Sequence, residues 1–213
     1  VRILDNFTEL TAELTAELAS ELDARRKQYA YYCRTALAFG DSTPIVKLEE
    51  VASYSKDRIA IDCLTEDNYV GVENLLQNKA GKRNAEKVPT GTGNASGYRS
   101  DDILIGNIRP YLKKIWLADC DGGTNGDVLV IRSHNKSILT PQYLYCVLSS
   151  DDFFDYDTKN SKGAKMPRGD KAAVMQYEFS LPTVVEQQKA GLNKVLEKIK
   201  MIEDSISEIE NMK

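Results

Sequence analysis

Apolar positions recur at helical spacing at both ends of the chain and in short, denser runs between them. From about residue 7 to 38, Leu10, Leu14, Leu18 and Leu22 step by four beside Glu9, Glu13, Glu17 and Glu21, and Tyr29, Tyr32, Ala36 and Leu37 follow. This spacing predicts a helix with a narrow apolar stripe, ended by Gly40 and Pro44. Beyond Pro182, the residues Leu192, Val195, Ile199, Ile202, Ile206 and Ile209 alternate steps of three and four, which is an a/d heptad seam. Each helix of about 30 residues would be roughly 45 Å long. A stripe of that length cannot bury itself, so the two ends are expected to pack as an antiparallel coiled coil. Pairing within one chain and pairing between two chains both satisfy the periodicity.

Between these ends the pattern changes to short runs of Val, Ile, Leu and Tyr separated by Gly, Asn, Asp and Ser. Strands are expected at residues 69–72, 103–107, 114–118 and 128–132. Residues 141–149 read as a helix, with Thr140 as its N-cap and Pro141 at its first position. Two long turn-rich stretches, 77–100 and 157–171, read as loops of the kind that bind or stay open. The fold class is thus α+β: residues 1–40 form a long helix, 41–181 a mixed α/β domain, and 182–213 a coiled-coil helix.

Composition narrows the possible chemistry. The 213 residues carry 28 Lys+Arg against 32 Asp+Glu, a formal net charge of −4. No apolar run approaches the roughly 20 residues of a membrane span, and the N-terminus has no signal-peptide core. Cys33, Cys63, Cys120 and Cys146 are widely spaced with no C-x-x-C pair, which suits reduced thiols in a cytoplasm. The single histidine, His134, lies in a polar segment and rules out a multi-histidine metal site. Residues 91–97 are glycine-rich but lack the Gly-Lys-[Ser/Thr] ending of a phosphate-binding loop, so a turn is expected there. The pairs Asp101-Asp102 and Asp151-Asp152 could bind a metal in principle, but adjacent residues on a strand point to opposite faces and Asp152 reads as part of a turn or helix cap. No catalytic residue and no metal ligand is assigned. The chain opens on Val1, as a fragment or processed product would.

Positive charge is concentrated in the loops. The first carries Lys79, Lys82, Arg83, Lys87 and Arg99, and the second Lys159, Lys162, Lys165, Arg168 and Lys171. Glycines among them let backbone amides approach an anion. Asn84, Asn94, Ser96, Tyr98 and Asn160 add groups able to read base edges. Between the loops, Gly106 and Pro110 interrupt a strand pattern and place Asn107, Arg109, Tyr111 and Lys113 at a bend. DNA contact is expected at Lys79, Lys82, Arg83, Lys87, Arg99, Asn107, Arg109, Tyr111, Lys113, Lys162, Lys165 and Arg168. Solvated loops and a structural ion pair at Arg109 account for the same pattern on composition alone.

Three segments carry a family resemblance. Residues 7–18 (Phe-Thr-Glu-Leu-Thr-Ala-Glu-Leu-Thr-Ala-Glu-Leu), continuing through 24–32, resemble the central conserved helix of Type I restriction-modification specificity subunits. Residues 101–111 (Asp-Asp-Ile-Leu-Ile-Gly-Asn-Ile-Arg-Pro-Tyr) resemble a motif of their target-recognition domains. Residues 163–168 (Gly-Ala-Lys-Met-Pro-Arg), then 181–188, resemble the end of that domain and the entry to the distal conserved helix. The chain is similar to the C-terminal half of such a subunit, with one recognition domain where a complete subunit has two. A natural half-subunit, a truncated product and an excised half all fit this departure.

The resemblance implies a non-catalytic DNA-recognition protein that reads one half of a split duplex target. Methyltransferase and restriction subunits would be its partners and would hold S-adenosylmethionine, Mg2+ and ATP, leaving no cofactor in this chain. A homodimer through the terminal helices would restore two recognition domains. The alternatives are a coiled-coil interaction protein or decoy that binds restriction-modification subunits without reading DNA, and the recognition part of a fused restriction enzyme.

Overall fold

The computed structural model describes residues 2–37 and 43–182. A long helix α1 (Arg2–Ala36) precedes β1 (Ile45–Lys47), a short helix α2 (Leu48–Val51), β2 (Ala52–Tyr54), β3 (Arg58–Ala60), β4 (Tyr69–Val70) and β5 (Asn94–Tyr98). There follow β6 (Ile103–Gly106), β7 (Ile115–Leu117), β8 (Gly122–Thr124) and β9 (Val128–Ser133). The helices α3 (Pro141–Leu148), α4 (Asp151–Asn160) and α5 (Lys171–Met175) lead to β10 (Glu178–Ser180).

The strands with the longest apolar runs, β6, β7 and β9, meet in one four-stranded sheet, ordered β2-β9-β6-β7. Alternate residues along a strand face opposite sides, and here both sides are buried, which is why the runs do not alternate with polar residues. Ile103, Ile105, Ile115, Leu129 and Ile131 pack against Leu139, Tyr143, Leu144, Phe153 and Phe154 of the helical layer. Leu104, Trp116, Val128 and Val130 face the other way, onto Val70, Leu75 and Tyr98. The second sheet, β3-β5-β8-β4, is antiparallel except for the parallel pair β4 and β8. β1 pairs with β10 in a separate ribbon that ties the start of the domain to its end, with Val46 opposite Phe179.

The helix expected after Thr140 is α3: the Thr140 hydroxyl accepts from the Tyr143 amide at 3.3 Å and Pro141 holds the first position. Both turn-rich stretches contain regular structure that the sequence pattern does not reveal. The first holds β5, so residues 94–97 of the glycine-rich segment belong to a central strand where a turn was expected. The second is shortened because α4 continues to Asn160, with Ser150 as its N-cap. On α1, Leu10 and Leu14 are 64% and 47% exposed and Leu18 is half-buried. The side chain of Leu22 and the seam Leu192, Val195, Ile199, Ile202, Ile206 and Ile209 lie outside the described residues.

Candidate nucleic-acid interface

Two turns interlock beside the end of β6. The first is a single 3-10 turn, Pro110–Leu112, bracketed by Arg109 and Lys113 with φ of 53° and 52°. Left-handed backbone is uncommon in residues with a Cβ, and two such residues in one short turn need external support. Proline sets the entry angle of the turn. The Leu112 amide donates to the Arg109 carbonyl (2.9 Å) and the Lys113 amide to that of Pro110 (2.8 Å). From outside, the Lys79 amide donates to the Lys113 carbonyl at 2.8 Å.

The second turn is the loop 162–168. Lys162 and Arg168 exchange both backbone hydrogen bonds at 2.9 Å, and Gly163 adopts φ of 103° to allow the reversal. Arg168 also bridges to Ile108 on its other side. The Arg109 amide donates to the Pro167 carbonyl (2.7 Å), and the Gly169 amide to that of Asn107 (3.0 Å). One backbone ladder therefore fixes the two turns against each other.

A charged clamp adjoins the first turn. Asp151, at the start of α4, accepts from Lys79 at 2.8 Å and Lys113 at 2.6 Å on the same carboxylate oxygen. Burial alone would push its carboxyl up, but the hydrogen bonds and charges of Lys113 and Lys79 outweigh that and hold it at about 2. Both lysines are thereby committed to bracing the turn. Asn107 is buried, and its side chain underlies the loop instead of facing solvent.

On the two turns, Arg109, Tyr111, Lys162, Lys165, Met166 and Arg168 are all exposed. Arg168 makes an ion pair with Asp127 at 3.2 Å, and Lys162 with Asp170 at 2.5 Å. Hydrogen bonding from Lys162, then from the Ala172 and Ala173 amides that it caps, holds Asp170 below the usual carboxylate range. Arg109 and Lys165 have no side-chain partner among the described residues. These exposed surface pairs are weak, so a polyanion can compete for their cations.

Of the remaining cations expected in the interface, Lys82, Arg83 and Arg99 have other partners. Lys82 donates to the Asp67 carbonyl (2.7 Å) and sits 5.2 Å from the Trp116 ring centre, and Arg83 pairs with Glu86 at 3.6 Å. Lys87 is exposed. Arg99 pairs with Asp57 at 2.8 Å beside Arg132, at the far end of β5. No side-chain hydrogen bond or ion pair among the described residues joins these four to the interlocked turns. Sequence reasoning missed Asp151 as the anchor of the turn and Met166 as an exposed apolar residue. A methionine inside a Gly-Lys-Pro-Arg loop was the available signal for the latter.

Among the described residues, no group of three or more His, Cys, Asp or Glu side chains is placed to hold a metal ion. None of the helices among these residues is long and apolar enough to cross a membrane.

No family model matches the sequence, and no curated protein matches it. Solved structures do. The S subunit of a Type I restriction-modification system from M. genitalium superposes over 97% of this chain with a TM-score of 0.65 at 13% identity. The fold is that of Type I S subunits. The HsdS subunit from Thermoanaerobacter tengcongensis matches 94% of the chain (TM-score 0.51, 12% identity). A structure of the type I R-M system, solved to explain its complex assembly and conformational transition, matches 96% (TM-score 0.53, 14% identity). This chain spans 50–55% of the length of these S-subunit-fold chains.

Proposed function

We propose that this chain is the DNA sequence-specificity subunit, or half-subunit, of a Type I restriction-modification system. The observation that carries the reading is the S-subunit fold along 94–97% of the chain, at about half the length of the matched structures. Residues 41–181 act as one target-recognition domain and read one half of a split duplex site. The interlocked turns supply the contact, with Arg109, Lys165 and Arg168 as the leading phosphate or base ligands and Lys162 beside them. Lys79, Lys113 and Asn107 position those turns. Lys82, Arg83, Lys87 and Arg99 contribute at most a more distant electrostatic field.

The terminal helices form the antiparallel coiled coil, within one chain or between two. The open Leu10 and Leu14 on α1 supply one side of that seam. At 1.5 Å per residue a helix like α1 is roughly 50 Å long, the rise of about 15 base pairs at 3.4 Å each. A homodimer arranged this way carries two recognition domains and reads the same half-site twice. Methyltransferase and restriction subunits dock on the helices in the cytoplasm and bring the chemistry, with S-adenosylmethionine, Mg2+ and ATP in their own sites.

A salt titration tests the contact residues. In a complex of the full chain with its methyltransferase subunit, Arg109→Ala and Arg168→Ala are each expected to weaken target binding. Each lost phosphate contact lowers the slope of log affinity against log salt by about 1. Unchanged affinity and slope in both variants would remove these turns from the interface.

A further inference from the structure

The cationic turns carry two apolar side chains that phosphate binding does not require. Tyr111 is 49% exposed and Met166 47%, and they rank with Ile45 and Ile138 as the large exposed hydrophobic residues of the middle domain. Single exposed apolar residues are ordinary. These two, however, sit on the two turns that one backbone ladder locks together. Tyr111 occupies the middle of the turn pinned by left-handed Arg109 and Lys113. Met166 precedes Pro167, whose carbonyl accepts from the Arg109 amide at 2.7 Å. Their backbone is therefore held by these contacts, while the side chains remain exposed.

The surroundings select the partner. Arg109, Lys162, Lys165 and Arg168 flank the pair, which suits a polyanion and disfavours an acid-free apolar protein surface. In a DNA duplex the apolar surfaces are the thymine methyl groups and the faces of bases at a step that opens. Tyrosine supplies a flat ring for stacking, and methionine an unbranched, adaptable chain that fills the gap. We propose that Tyr111 and Met166 form an apolar wedge that presses against the bases of a partly opened step within the target, while the flanking cations hold the phosphates. This rests on the DNA-recognition reading above and assigns the two residues a specificity-determining role in it. The step opens most easily where a pyrimidine precedes a purine.

The test uses the full chain assembled with its methyltransferase subunit, and duplexes with 2-aminopurine placed in turn along the target. Apart from the base that the methyltransferase itself extrudes, the wild-type complex is expected to raise the fluorescence at one further position, reporting an unstacked step. In Tyr111→Ala and Met166→Ala, target affinity falls by about tenfold or more, affinity for random duplex and the salt slope stay unchanged, and the fluorescence rise is lost. Tyr111→Phe and Met166→Leu retain most of both signals. Loss of affinity equally for target and random duplex, or a full fluorescence rise in the alanine variants, would overturn the wedge while leaving DNA recognition intact. A wild-type complex that does not distinguish target from random duplex would overturn both readings.

Discussion

Replacing Arg132 by methionine is expected to destabilise the middle domain by about 3–5 kcal/mol, because it strands a buried carboxylate. Asp102 is almost fully buried just before β6. It accepts from Arg132 Nε at 2.7 Å and Nη2 at 2.6 Å, a bidentate fork, and from the Arg99 amide at 2.8 Å. The third guanidinium nitrogen donates to Asp57 at 2.8 Å. Those hydrogen bonds raise the arginine's affinity for its proton above the ordinary value, despite partial burial, and the Arg132 hydrogen bond is the largest cause holding Asp57 low. Methionine keeps much of the side-chain volume but leaves Asp102 with one backbone donor. Urea unfolding measures the loss directly. The double variant Arg132→Met/Asp102→Leu recovers most of it, since no charge is then left unpaired. A midpoint equal to wild type in the single variant would show that Asp102 is adequately served without the fork.

Asp157→Asn has the opposite sign. Asp157 lies in α4 with both carboxylate oxygens buried and without a hydrogen-bond partner, and the Asn107 side-chain oxygen is in the same condition. Gly169 packs between them: a Cβ there would lie 2.4 Å from the Asp157 oxygen and 2.9 Å from that of Asn107. This cluster of acceptors underlies the interlocked turns, since Gly169 and Asn107 are joined in the backbone ladder. Burial pushes the Asp157 carboxyl up to about 6. The folded state then holds a proton that the unfolded chain releases near pH 4, so stability is greatest below that point and falls as pH rises through 6. The difference amounts to roughly 3 kcal/mol at neutral pH. Asparagine removes the charge and supplies an N–H donor. The variant is expected to be more stable by about 1–3 kcal/mol at pH 8, equal to wild type near pH 4, and flatter between. Identical pH profiles for the two proteins would show that Asp157 is not desolvated in this way.

The part of the fold legible in the sequence is the part whose residues state their own environment. Residues 103–105 and 128–131 are apolar throughout because both faces of their sheet are covered, and Thr140-Pro141 marks the start of α3 by cap chemistry alone. β8 was illegible because its Gly122 and Gly123 are set by packing: a Cβ on Gly122 would lie 2.0 Å from the Asn68 carbonyl, and on Gly123 2.7 Å from Ile59 and Leu64. No local pattern records such a contact. β1 and β10 are each three residues long and pair across most of the chain. α4 hid behind its aspartates, with its buried Phe153 and Phe154 adjacent where helical spacing would separate them. At the candidate interface, the loop charge, Gly163 and Pro110 mark the two segments that interlock. The pairing of Lys79 and Lys113 on Asp151 was not readable, because it joins residues 72 and 38 positions apart.

Selection from randomised duplexes tests the central claim most directly, using the full chain assembled with its methyltransferase subunit. DNA recognition by the interlocked turns predicts that the recovered sequences share one defined half-site, and that Arg109→Ala and Arg168→Ala weaken its enrichment without preventing assembly. An assembled complex that recovers no common sequence would contradict it.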